Sequence, residues 1–119
     1  MRRDGLKRTL LLDYYGDLLT QKQRLYCDLY YNQDYSLAEI AEETGISRQG
    51  VHDSLAHAAA ALDEFERILG CAARDAALRD LAQQGRSALA PLLHADDPQI
   101  ADRARLASEL FTTMEGSAE

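Results

Sequence analysis

The stretch "SLAEIAEETGISRQGVHDSL", Ser36 to Leu55, constrains the fold more than any other part of the chain. Ser36 with Glu39 three residues later is a capping-box pattern, in which a hydroxyl and a carboxylate satisfy orphan backbone donors at a helix start. Thr44-Gly45 stops that helix, because glycine accepts a left-handed backbone, and Ser47 caps the next one. Ala41 stands where the two helices cross, Gly45 lies in the turn, and Val51 faces inward from the second helix. A small, a turn-forming and a branched apolar residue at these offsets suit two helices joined by a tight turn at roughly 90–120°. They predict a helix-turn-helix over residues 36–57, with Ile40, Ile46 and Leu55 as further core.

The flanking sequence is helical throughout. Leu6, Leu10, Leu11, Tyr14, Tyr15 and Leu18 repeat at helical spacing and predict a first helix ending near Gly16. Thr20 is placed to cap a second helix, "QKQRLYCDLYYN", with Asn32 to Tyr35 as the loop after it. The fourth helix, starting at Ser47, carries Val51, Leu55, Ala58, Leu62, Phe65 and Leu69 in alternating steps of four and three, a heptad seam. That seam packs either within the monomer or against a second copy, a homodimer through Leu55, Leu62, Phe65 and Leu69.

After Gly70 an alanine-rich helix follows, ended or bent at Gly85, and Pro91 interrupts the helix around "SALAPLLHADD". Asp97 and Pro98 start a last helix with Ile100, Ala104, Ala107, Phe111 and Met114 on one stripe, and "EGSAE" is a fraying tail. The expected fold is all-α: a helix-turn-helix core domain over residues 1–70 with a long fourth helix. Residues 71–119 form a helical extension that packs on the core or on a second subunit.

Charge separates this chain from an ordinary DNA reader. It holds 13 Lys and Arg against 20 Asp and Glu, a net charge of −7. Residues 1 to 24 are net +3, through Arg2, Arg3, Lys7, Arg8, Lys22 and Arg24, so the remainder is −10. Such a field opposes non-specific binding to nucleic acid and anionic membranes. The apolar run near the start is too short for a signal peptide, and nothing is long enough to span a membrane. Cys27 and Cys71 lack a pairing or zinc-ligand pattern, which leaves buried thiols in a reducing cytoplasm.

The candidate nucleic-acid contacts sit at the start of the fourth helix. Ser47 and its amide suit a phosphate, and Arg48, Gln49 and His52 are placed to reach base edges. Asp53 and the acids Glu39, Glu42 and Glu43 oppose this, so Ser36 to His57 is net −3. Lys22 and Arg24, with the amino-terminal cations, offset that charge only if they lie on the same side. His52 and Asp53 are expected to point apart, and His57 and His94 are isolated. Nothing calls for a metal or cofactor, and no nucleophile-base pair or phosphate loop points to an enzyme. The six tyrosines all precede the motif and read as core, with Tyr31 or Tyr35 as alternatives for a partner surface.

From Leu10 to Gly70 the chain resembles the YlxM-like proteins, small bacterial helix-turn-helix proteins similar to the DNA-binding region 4 of sigma factors. The resemblance rests on "LLTQKQR", "LYYNQDYSLAEIAEE" and "ISRQGV", in this order and spacing. It implies an all-helical homodimer and a regulatory or accessory part in co-translational protein targeting, through the GTPase or the RNA of the signal recognition particle. The alternative is a transcriptional regulator that inserts Ser47 to Ser54 into DNA.

Overall fold

The computed structural model describes residues 3–116, and every regular element among them is helical. The expectations for Arg2, for the Arg3 side chain and for the tail from Ser117 fall outside the described residues. Six helices run α1 (Arg3–Tyr15), α2 (Gln21–Cys27), α3 (Leu37–Thr44), α4 (Arg48–Leu69), α5 (Cys71–Leu89) and α6 (Pro98–Gly116). The chain forms two compact units, one up to Ala72 and one from Ala73.

In the first unit α4 is the central element and packs against α1, α2 and α3. Its Val51, Leu55, Ala58 and Leu62 are buried with Leu11, Leu12 and Tyr15 of α1, Tyr26 and Cys27 of α2 and Ile40 of α3. Leu55 and Leu62 of the heptad seam are buried in the core of their own chain, and Phe65 packs against it. Leu69 is 45% exposed and lies beyond the buried stripe.

The first helix ends where expected, with a 3-10 turn at Gly16–Leu18, but its buried face differs from the expected one. Leu12 is in the core while Leu6, Leu10 and Leu18 are exposed. Three consecutive leucines fit two overlapping helical stripes, and contact with α4 selects one.

Capping chemistry follows the sequence closely. Thr20 and Gln23 form a reciprocal capping box on α2, each backbone amide donating to the other side chain at 3.1 Å. Ser36 and Glu39 do the same on α3, at 3.0 and 3.1 Å. The second helix departs from expectation at its end. From Asp28 to Asn32 it widens into a π turn, with the Gln33 amide donating to the Asp28 carbonyl five residues back. The Asp28 carboxylate accepts from the Asn32 and Gln33 side-chain amides at 2.9 and 2.8 Å, which holds this turn. Asp34 follows in the left-handed region at φ +62°.

Burial leaves Cys27 fully enclosed and pushes its thiol up to about 11, against the opposing pull of Arg8. Cys71 is half-buried, and both thiols are free.

The second unit is built from the rest of α5, a 3-10 turn at Ala90–His94 and α6. The α5 helix runs through Gly85 to Leu89, so this glycine does not end it. A Cβ there would come within 2.7 Å of the Phe111 ring, so glycine instead lets α6 approach closely. Arg86 and Glu115 pair nearby at 3.1 Å. Ala82, Ala101 and Ala104 are the buried residues of this unit's helices, whereas Ile100 and Met114 of the expected stripe are exposed.

Candidate nucleic-acid interface

The helix-turn-helix is complete in its geometry. Ile40 and Val51 are fully buried, Leu55 nearly so, and Ala41 is half-buried against the same core. Gly45 closes α3 at φ +78°, its amide donating to the Ala41 carbonyl at 2.9 Å. Nothing lies within 4 Å of a Cβ placed on it, so glycine is required there for its backbone and not for space. Ile46 is 38% exposed and covers the α4 start near Gly50, not the core.

Ser47 caps α4 as expected, its hydroxyl accepting from the Gly50 amide at 3.0 Å. That oxygen is therefore occupied by its own helix. Arg48 follows as the first residue of α4, exposed and with no partner among the described residues.

The other two candidate contacts, Gln49 and His52, are restrained by one carboxylate. Gln49 donates to Asp53 Oδ1 at 2.9 Å, and His52 Nδ1 lies 3.4 Å from the same oxygen. The expectation that His52 and Asp53 point apart is thus corrected: neighbouring side chains on the first turns of α4 bend toward each other. The hydrogen bond from Gln49, followed by that from His52, holds the Asp53 carboxyl below its ordinary value. Its negative charge consequently persists on the face that would approach nucleic acid.

Among the described basic residues that would compensate, Arg24, Arg8 and Lys7 are paired with carboxylates of their own chain. Arg24 pairs with Asp17 at the turn between α1 and α2. Arg8 pairs with Asp63 and also donates to the Ala59 carbonyl at 3.4 Å, while Lys7 stands 3.8 Å from Asp63. Asp63 lies roughly four turns along α4 from Arg48, a distance of about 22 Å along the helix axis. Arg8 and Lys7 are therefore anchored far from the reading edge. Lys22 is exposed at the start of α2.

Sequence reasoning missed one polar cluster. The Tyr15 hydroxyl donates to Glu66 Oε1 at 2.5 Å and accepts from the Cys71 amide at 3.0 Å, and Glu66 Oε1 also accepts from the Ala72 amide at 3.1 Å. These contacts tie α1 to the corner after α4. Among the described residues, no three of His, Cys, Asp and Glu come together in a metal-holding group. No helix among them is long and apolar enough to cross a membrane.

Comparison with known proteins matches this architecture. The family model described as "Putative helix-turn-helix protein, YlxM / p13 like" matches residues 3–91. A UPF0122 protein of Thermoanaerobacter sp. (strain X514) is 53% identical over 74 residues, 62% of this chain and 63% of the relative. One of Acetivibrio thermocellus is 57% identical over 61 residues, 51% of this chain and 52% of the relative. One of Halalkalibacterium halodurans is 43% identical over 84 residues, 71% of this chain and 77% of the relative. The matched segment thus spans between about half and three quarters of these relatives' own lengths. A complete helix-turn-helix, a model match over most of the chain and these identities establish that the chain belongs to the YlxM/p13-like helix-turn-helix family.

Proposed function

We propose that this chain is a non-enzymatic accessory protein of co-translational targeting in the cytoplasm, which meets the GTPase of the signal recognition particle and does not read DNA. The observation that carries this reading is Asp53. It holds Gln49 and His52 to itself and leaves Arg48 as the lone cation at the start of α4. Duplex DNA binding draws much of its affinity from phosphate neutralisation, which this surface supplies poorly. The −10 charge beyond residue 24 favours a basic protein partner, and the family resemblance implies which pathway that partner serves. The particle's RNA, the other partner implied, meets the same repulsion as DNA.

A pull-down from native cell extract with the tagged full chain tests this, with and without ribonuclease. Retention of the particle GTPase after ribonuclease treatment is the expected result. Recovery of RNA alone, or of neither component, overturns it.

A second reading rests on the exposed and unpaired Arg48, which sits where a recognition helix begins its base contacts. In that reading the chain is a transcriptional regulator. A salt-sensitive shift on bacterial DNA, lost in Arg48→Ala and Gln49→Ala, is its signature. No shift at low salt removes it.

A further inference from the structure

We draw no further inference here: the strongest candidate, the hollow between the end of α5 and the start of α6 that Leu89, Leu92, Ile100 and Ala104 line with Asp97 and Arg103, is an apolar face on which one carboxylate balances one guanidinium, and nothing in the structure shows what covers it.

Discussion

The Tyr15 hydroxyl donates to the Glu66 carboxylate at 2.5 Å across 51 positions of sequence, and the same hydroxyl accepts from the Cys71 amide. One phenol thus serves the end of α1, the last turns of α4 and the first amide of α5. Burial, then the bond to Glu66, pushes the Tyr15 hydroxyl up to about 12. The folded state holds that proton more tightly than the unfolded chain, where the ordinary value is 10.0. The stabilisation is complete below about pH 10 and is lost as pH rises toward 12, because the unfolded state then binds fewer protons. Ultraviolet titration should show the Tyr15 phenol ionising only near pH 12. Tyr15→Phe should remove that late step and lower Tm by roughly 5 °C.

Leu62 is fully buried at the centre of the α4 stripe. Leu62→Ala should cost about 2–5 kcal/mol in denaturant unfolding, the range for a truncated core leucine. Because the side chain is used within its own chain, light scattering should give wild type and the folded mutant the same mass. A change of mass on mutation would return the seam to a dimer interface.

Gly45 has open space around it and a positive φ, so the penalty for a side chain there is confined to the backbone. Gly45→Ala should destabilise by about 1–2 kcal/mol, and Gly45→Asn by less, since asparagine visits the left-handed region more readily. Chemical denaturation of the pair checks both the size and the order. Equal losses would mean that the turn has relaxed to another geometry.

Asp53 is the residue whose removal should most change behaviour toward nucleic acid. Asp53→Ala deletes the carboxylate and frees Gln49 and His52. Affinity for random duplex DNA at low salt should rise by roughly threefold or more, as repulsion on that face falls. Anisotropy across a salt series measures it. An unchanged affinity would show that the start of α4 does not face DNA at all.

The parts of this protein that sequence alone determined are those whose partners lie within a turn. Thr20 with Gln23, Ser36 with Glu39, Ser47 with Gly50, and the αL position of Gly45 are contacts between near neighbours, so spacing and residue type suffice to read them. Gln49 and Asp53 also stand four apart on α4, a separation at which such side chains bond, so the signal for this contact is present in the sequence. What the tertiary structure decided has longer reach. The choice of Leu12 over Leu10, the absorption of Leu55 and Leu62 into one monomer's core, and the commitment of Arg8 to Asp63 depend on where α4 crosses α1. The close approach of Phe111 to Gly85 belongs to the same class within the second unit. Capping energies act along a few residues of backbone. Burial and charge pairing act across space, between groups that only the packed chain brings within reach.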